Sequence, residues 1–490
     1  MKLKELFGNI QAGGDLEIKG ITNNSNEVKP GYLFIAVKGT STDGNLFVED
    51  AVRRGAVAVI SESEYPKNPN TVFIRVRSGH DALWQSGKIY YGDPSSKLDV
   101  VGITGTNGKT TVSYLIKNIF KSAGIETGVL GTIDYVIGDR KIPAPLTTPD
   151  VLKINQYMSQ MLSCGCKSCV MEISSHALEQ GRVDGINFKA GIFTNLGRDH
   201  LDYHKTIDSY LEAKAILFNK LGSENFAIVN LDDPYSGSIV RNCRAQILGY
   251  GITAVSRADI KAKIKARGIQ YSGSGTKFSI YSNVLKRGFP VETKFIGNHN
   301  VYNILAAAGA AMAFNIPERA IREGVFMTEN VPGRLEKVEQ GQSFDIFIDF
   351  AHTPDALESV LFTMRRITKG KIILVFGCGG NRDKEKRPLM GRIAGRLADY
   401  TFITSDNPRK EEPIDIINDI KKGFVGSSYK IIADRRDAIN EALSLANEGD
   451  TVLIAGKGHE NYQILKETTV SFSDKAVVEE MLKERERCLC

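Results

Sequence analysis

The sequence lacks any run close to the roughly 18 apolar residues of a membrane span. Its N-terminus, MKLKELFGNIQAGGDLEIKG, never sustains an apolar stretch, so neither a signal-peptide core nor a stop-transfer segment is expected. Cysteine is scarce, with seven in 490 residues: Cys164, Cys166, Cys169, Cys243, Cys378, Cys488 and Cys490. An odd number without an export signal argues against a disulfide framework and for the reducing cytoplasm. CGCKSC (164–169) has no second CxxC or HxxxH cluster after it, so a surface turn with reduced thiols is expected rather than a zinc site. A large excess of one charge is missing too. The 63 Lys and Arg against 57 Asp and Glu leave +6, too little over this length for a nucleic-acid binder but compatible with an anionic small substrate. With 42% hydrophobic and 24% charged residues, a mainly disordered chain, a coiled coil and a collagen are excluded. The length suggests about three domains.

The pattern along the chain is α/β. Strands are expected at 16–22, 32–37, 56–61 and 72–76, with helices over 45–55 and 80–91. Gly92-Asp93-Pro94-Ser95-Ser96 is a turn-rich break that sets a first domain at 1–95. Apolar runs at 98–104, 169–173, 191–195 and 227–230 alternate with helical stretches, as in a parallel sheet covered on both faces. Residues 276–290 read instead as short antiparallel strands, and 300–314 as a small-residue helix. Pro332-Gly333 separates a second domain, 96–331, from a third, 332–490. In the third, strands at 371–376, 400–404 and 451–455 each run into a polar loop: GCGGNRDK, SDNPR and GKGHE. Ligands in α/β sheets sit beyond the carboxyl ends of strands, so three such loops point to one converging site.

VGITGTNGKTT (101–111) carries the sharpest chemistry. A strand enters, Gly105 and Gly108 permit a tight turn, and Lys109-Thr110 opens a helix whose periodic face holds Val112, Leu115, Ile116, Ile119 and Phe120. Backbone N–H groups of such a loop, Gly105, Thr106, Asn107, Gly108, Lys109, Thr110 and Thr111, cradle phosphate at a helix N-terminus. Lys109 is placed to reach the outer phosphates and Thr110 to ligate Mg²⁺, although Ile103 stands where the strict phosphate-loop pattern has a first glycine.

Glu172, at the end of the apolar strand in VMEISSHAL, is costly to bury unless hydrogen-bonded or metal-bound. FTNLGRDHLDYH places Asp199, His200, Asp202 and His204 after another strand end, a cluster suited to metal or phosphate, or to helix capping for the aspartates. The next helix has an apolar stripe of Ile207, Tyr210, Leu211, Leu217, Phe218 and Leu221. Lys214 lies three, four or seven positions from each of them, so it falls on the buried face. Either its stem snorkels to water, or the lysine is kept for chemistry. A desolvated lysine reacts as the neutral amine, and carbamylation by CO₂ would make it an oxygen ligand for a second Mg²⁺.

TGTNGKTT, EISSHAL, FTNLGRDHLDYH, EAK (212–214), HNVYN (299–303), DFAHTPDALE, GCGGNRDKEKRP, SDNPR and AGKGHENYQ together are similar to the Mur ligases, in order and over nearly the whole chain. TGTNGKT alone would also admit folylpolyglutamate synthase. The resemblance implies an N-terminal UDP-binding domain, a central phosphate-loop ATPase domain and a C-terminal Rossmann-like domain. It implies ATP, two Mg²⁺ ions and an acyl-phosphate mechanism, with the D-glutamate γ-carboxylate of UDP-MurNAc-L-Ala-D-Glu as acceptor of the phosphoryl group. By motif, Lys109, His200 and carbamylated Lys214 would be catalytic, and Thr110, Glu172, His200 and Lys214 would surround the metals. Asn300, Asn303, Arg334 and Asp349 would contact ATP, with His352 in the same loop. The UDP-sugar dipeptide would meet Asn23, Ser25, Thr40, Ser41, Thr42, Thr147, Thr148, Ser174, Gln180 and Arg182. Asn23-Asn24-Ser25-Asn26 departs from the family's Asp-Ser-Arg pattern, which leaves out an arginine contact.

Asp406-Asn407-Pro408-Arg409 resembles the form in enzymes that add meso-2,6-diaminopimelate rather than lysine. That amino acid differs from lysine by a distal carboxylate, which a guanidinium fork binds through two parallel hydrogen bonds. Arg382, Gly456 and Glu460 match the remaining contacts, with Glu460 placed to accept from the distal ammonium. Lysine addition, or a non-catalytic UDP-sugar sensor, are the other readings. Neither nucleic acid nor a membrane span is expected, and a monomer is.

Overall fold

The computed structural model describes residues 1–7, 15–39, 42–66, 68–253, 262–426 and 428–489. Over these residues the chain forms three main sheets, each covered by helices, and one short hairpin. The first is a four-stranded parallel sheet of Gly20–Thr22, Tyr32–Ile35, Ala56–Ser61 and Val72–Arg75, in that order. Its core is Leu33, Ile35, Ala58 and Ile60, packed on the helix Gly79–Tyr90. Val151 and Leu152, from the far longer second unit, close the same core.

The second sheet has eleven strands. Its middle is parallel and runs in the order Phe226–Asn230, Phe188–Phe193, Asp99–Thr104, Ser168–Glu172 and Thr127–Leu130. The phosphate-loop strand thus lies inside the sheet, flanked by the strand carrying Glu172 and the strand leading to His200. Helix Lys109–Ser122 buries Val112, Leu115, Ile116 and Ile119 against it. Each such side chain contributes about 1.5–3 kcal/mol on leaving water. Helix Asn298–Ala313 packs beside it, and its alanines, with Gly309 facing Ile228, let it lie close on the sheet.

The third sheet, from Glu336 to Ala455, runs Glu336–Lys337, Asp345–Asp349, Thr451–Ala455, Ile372–Phe376, Tyr400–Ile403 and Tyr429–Ile431. All but the first strand are parallel. The three loops singled out in the sequence leave the carboxyl ends of three neighbouring interior strands, Thr451–Ala455, Ile372–Phe376 and Tyr400–Ile403.

Some expectations are corrected. The central sheet is mixed rather than purely parallel. Asp134–Ile137 and Arg140–Pro143 add antiparallel strands at one edge. At the other edge the unforeseen strand Ala262–Ser272 runs parallel to Gln246–Gly251, while Gly275–Ser282 and Arg287–Thr293 are antiparallel, as expected for 276–290. CGCKSC is not a surface turn throughout. Cys164 is exposed, but Cys166 and Cys169 are buried in the core, because Ser168–Glu172 is an interior strand with apolar packing on both faces. Among the described residues no His, Cys, Asp and Glu cluster has metal-site geometry, and no helix is long and apolar enough to cross a membrane.

Candidate functional site

The phosphate loop leaves its strand through Gly105 (φ 147°) and enters the helix at Gly108 (φ 90°). A Cβ on Gly108 would strike Asn303 Oδ1, so both its backbone angle and its surroundings require glycine. The loop is held from behind. Asn107 N–H donates to Asn195 Oδ1 (2.9 Å), and the Thr194 hydroxyl donates to Asn107 O (2.6 Å). Lys109 Nζ donates to Gly105 O and Thr106 O, at 2.8 and 3.0 Å. Its ammonium is folded onto the loop's own carbonyls, and burial lowers its pKa.

Glu172 is buried and accepts three hydrogen bonds: Thr110 Oγ1 and Thr132 Oγ1 donate to Oε2 at 2.9 and 2.8 Å, and Thr132 N–H donates to Oε1 at 2.9 Å. Thr110 also accepts from Arg334 Nη2 (3.3 Å), a residue that arrives from the start of the third unit. The Arg334 guanidinium lies 4.6 Å from the centre of the Phe350 ring; its Nε is buried and has no hydrogen-bond partner among the described residues. Burial lowers the Arg334 pKa, with Asp349 and Glu172 opposing. Asp349 accepts from Leu335 N–H (2.6 Å) and Ala351 N–H (2.8 Å), so it braces the turn that carries Arg334. Asn300, Asn303 and Thr111 line an adjoining cavity of about 400 Å³ together with Asn107 and Gly108. Asn303 Nδ2 donates to Asn300 Oδ1 (3.1 Å), and Asn300 Nδ2 to Ile296 O (2.9 Å).

His200 sits at φ 55°, and its ring meets those of His176 and Tyr210. Its Nε2 is 3.4 Å from Asp199 Oδ2, and His352 Nε2 reaches the same oxygen at 3.7 Å. Burial lowers His200 to about 3 against the pull of Asp199. Burial alone would raise Asp199, but the nearby His352, with the charges of His200 and Lys386, holds it below the ordinary carboxylate range. Lys214 is buried, as its stripe requires, and its Nζ lies 4.3 Å over the Tyr210 ring. Its pKa falls far below the ordinary lysine value through burial and then through repulsion from Lys109, with Asp199 opposing weakly.

Thr147, Thr148, Ser174, Gln180 and Arg182 come together around the same strand end. Thr148 Oγ1 donates to Glu172 O (2.9 Å) and accepts from Ser174 N–H (3.1 Å). Arg182 donates to Thr148 O (3.1 Å) and, through Nε and Nη2, to Gln180 Oε1. Thr147 faces Thr132 across 3.3 Å. On the small sheet, Ser25 is buried with its hydroxyl on Asp50, and Asn23 and Thr42 are exposed. Thr40 and Ser41 lie outside the described residues.

The three loops of the third sheet meet. Arg409 is fixed at φ 53° by two backbone bonds to the hairpin: Arg409 N–H donates to Ile464 O (3.1 Å) and Lys466 N–H to Arg409 O (2.7 Å). Its Nη1 donates to Gly380 O (2.8 Å). Burial and the neighbouring Arg382 lower its pKa. Asn407 Nδ2 donates to Glu460 Oε2 (2.7 Å). Pro408 O packs on Gly380, and a Cβ on Gly456 (φ 111°) would meet Asp406 Oδ2. One cleft of about 270 Å³ is lined at one end by Lys109, Thr110 and Glu172 and at the other by Arg382, Arg409 and Glu460.

Thr132, Asn195 and Lys457 escape sequence reasoning. Thr132 follows a short strand in GTIDYV, with nothing local to mark it, and bonds a carboxylate 40 residues away. Asp199 was visible in the histidine cluster, but its link to His352 was not.

Residues 17–85, 103–311 and 333–458 match, in that order, the Mur ligase family catalytic domain, the Mur ligase middle domain and the Mur ligase glutamate ligase domain. The chain is 41% identical over 491 residues to the UDP-N-acetylmuramoyl-L-alanyl-D-glutamate–2,6-diaminopimelate ligase 1 of Clostridium acetobutylicum, covering 99% of this chain and 100% of that one. The ligase of the same name from Solibacter usitatus is 42% identical, covering 95% and 94%. A solved structure of a UDP-N-acetylmuramoyl-L-alanyl-D-glutamate–2,6-diaminopimelate ligase superposes with a TM-score of 0.70 at 33% identity, covering 99% of each chain. A MurF ligase of Thermotoga maritima in complex with ADP shares the fold at 20% identity, with a TM-score of 0.63, over 96% of this chain and 97% of its own. Three family matches in order along the chain, with 41% identity over 99% of it to a relative of the family, make this chain a member of the Mur ligase family.

Proposed function

We propose that this ligase joins meso-2,6-diaminopimelate to the γ-carboxylate of UDP-MurNAc-L-Ala-D-Glu, at the expense of ATP, in peptidoglycan precursor synthesis. The observation that carries the reading is the single cleft whose one end is phosphate-binding and whose other end offers an arginine and a glutamate to an amino acid. The division follows 1–95 for the UDP-sugar, 96–331 for ATP and 332–490 for the amino acid. All of these groups come from one chain, so a monomer suffices, and the cytoplasm supplies ATP.

The residues fit a nucleotide with magnesium. Lys109 and Arg334 are cations held out of water, each with a pKa lowered by burial. Such a set is relieved by a polyanion. The hydroxyl of Thr110 beside the carboxylate of Glu172 is an oxygen donor pair suited to Mg²⁺, with His200 and Lys214 on the second-metal side. Bound Mg²⁺ ions would neutralise phosphate charge and orient the reacting oxygens. The neutral amine of Lys214 attacks CO₂; its nitrogen forms the N–C bond and loses a proton, leaving a carbamate. Lys109 turns from Gly105 O and Thr106 O to the γ-phosphate and stabilises its charge. Asn300 and Asn303 take the adenine side, and Arg334, braced by Asp349, closes on the nucleotide from the third unit. Ser25, Asn23, Thr40, Ser41 and Thr42 hold the UDP end, while Thr147, Thr148, Ser174, Gln180 and Arg182 hold the dipeptide.

The substrate γ-carboxylate oxygen attacks the γ-phosphorus and ADP leaves, giving an acyl phosphate. The free amine of the amino acid then attacks the acyl carbon and phosphate departs. Arg409 and Arg382 bind the distal carboxylate, and Glu460 the distal ammonium, with Asp406, Asn407, Pro408 and Gly456 shaping the pocket. A site built for a charged group leaves its own charge unpaired with an analogue lacking it, which disfavours lysine. The test is ADP release with each amino acid offered singly beside the dipeptide nucleotide and Mg²⁺. ADP with meso-diaminopimelate is expected; ADP with lysine and none with diaminopimelate overturns the assignment.

A further inference from the structure

Lys457 is not a residue the cleft displays. It is fully buried one position after Gly456, and its ammonium is saturated. Nζ donates to Tyr462 O (2.6 Å), Glu460 Oε2 (3.2 Å) and Asn407 Oδ1 (3.3 Å), which accounts for all three of its N–H bonds. Ile464 N–H donates to the same Asn407 oxygen (3.0 Å). With two donors on Oδ1, the Asn407 amide has one orientation open, and its Nδ2 points at Glu460 Oε2 (2.7 Å). Asn407 and Lys457 therefore hold the same carboxylate oxygen, from loops 50 residues apart. Both Asn407 and Glu460 line the cleft; Lys457 does not.

We infer that Lys457 is a positioning residue for amino-acid recognition: by fixing the Asn407 amide and one oxygen of Glu460, it sets where the distal ammonium of the amino acid is received, without touching it. The inference rests on the amino-acid reading of this end of the cleft. A point charge with three donors is required because three acceptors converge on one buried atom. A neutral side chain leaves the Glu460 carboxylate and the Asn407 amide free to turn.

The test is steady-state kinetics of the full-length Lys457→Met enzyme, alone and combined with Glu460→Gln. The KM for meso-diaminopimelate rises about tenfold or more, as expected when a contact group loses its orientation. The KM for ATP stays within about twofold, and preference over lysine falls. The double variant is no worse than Glu460→Gln alone, because the two residues act through one oxygen. An unchanged KM for the amino acid, an equal loss toward ATP, or additive effects in the double variant overturns the inference. If Lys457→Met does not fold, the same ratios are read on Lys457→Gln; failure of both to fold assigns Lys457 to the scaffold and also overturns it. A wild-type enzyme idle with diaminopimelate defeats the functional reading instead, and the variants are then read against whichever amino acid releases ADP.

Discussion

Lys214 and Lys457 are buried almost equally, at 1% and 0% exposure, in opposite surroundings. Lys457 meets three acceptors; Lys214 meets the face of Tyr210 and the repulsion of Lys109. The first arrangement is complete as it stands, and a buried charge so bonded stays charged and holds its acceptors in place. The second favours the uncharged amine, which is the form that reacts. The contrast extends to the two ends of the cleft. At the amino-acid end the groups hold one another in place before a substrate arrives. At the phosphate end Lys109 rests on carbonyls it must leave, and Arg334 keeps an unpartnered Nε.

The largest expected effect breaks this comparison at its reactive side. Lys214→Ala lowers turnover by about a thousandfold, the scale of losing a preorganised charged group at a reacting centre. Short carboxylates added to that variant restore part of it. Full turnover of the variant in CO₂-free buffer contradicts the carbamate.

On the structural side, Arg435 is another buried cation, paired with Asp474 through two bonds of 2.7 and 2.8 Å and donating to Ala455 O (3.0 Å). Arg435→Met strands that carboxylate and costs about 3 kcal/mol. Calorimetry of the variant reads this as an earlier unfolding transition; an unshifted transition means the pair is not holding the third sheet. Next comes Arg409→Ala, which lowers kcat/KM for diaminopimelate by about a hundredfold and leaves the KM for ATP unchanged. Equal activity toward diaminopimelate assigns Arg409 to a structural bond with Gly380 O.

The smallest effect concerns the junction of the first two units, where His80 Nε2 lies 2.9 Å from Asp184 Oδ2. The hydrogen bond to Asp184 raises the His80 pKa above 6.5. Burial opposes the lowering of Asp184, but bonds from His80 and Lys220 prevail. A raised histidine adds stability that is complete below pH 6.5 and fades as pH climbs through its folded value; the lowered aspartate adds stability that fades as pH falls below 3.8. The melting-temperature gap between wild type and His80→Gln is therefore wider at pH 5.5 than at pH 8.5. A gap independent of pH removes the ion pair from the account.

How much of this was legible in the sequence depends on distance along the chain. The phosphate loop is local: strand, two glycines and Lys-Thr fall within a dozen residues, and the structure places them as read. Lys214 was legible because one helix carries both the lysine and the apolar stripe that buries it. Thr132 on Glu172 and Lys457 on Asn407 were not, because a hydrogen bond across 40 or 50 residues has no periodicity. The strand Ala262–Ser272 was missed because the reading followed continuous apolar runs, whereas Lys263 to Arg267 alternate polar and apolar, the pattern of a strand buried on one face. The interior strand read at 169–173 is Ser168–Glu172, and what the turn-like CGCKSC concealed is the burial of Cys166 and Cys169.

The account centres on a carboxylate that takes the terminal phosphoryl group of ATP before the amine arrives. Its most direct test is a single turnover with UDP-MurNAc-L-Ala-D-Glu labelled with ¹⁸O in the γ-carboxylate. The released phosphate is predicted to carry one ¹⁸O, handed over when the amine displaces it. Phosphate without label, with the peptide bond nonetheless formed, contradicts the mechanism.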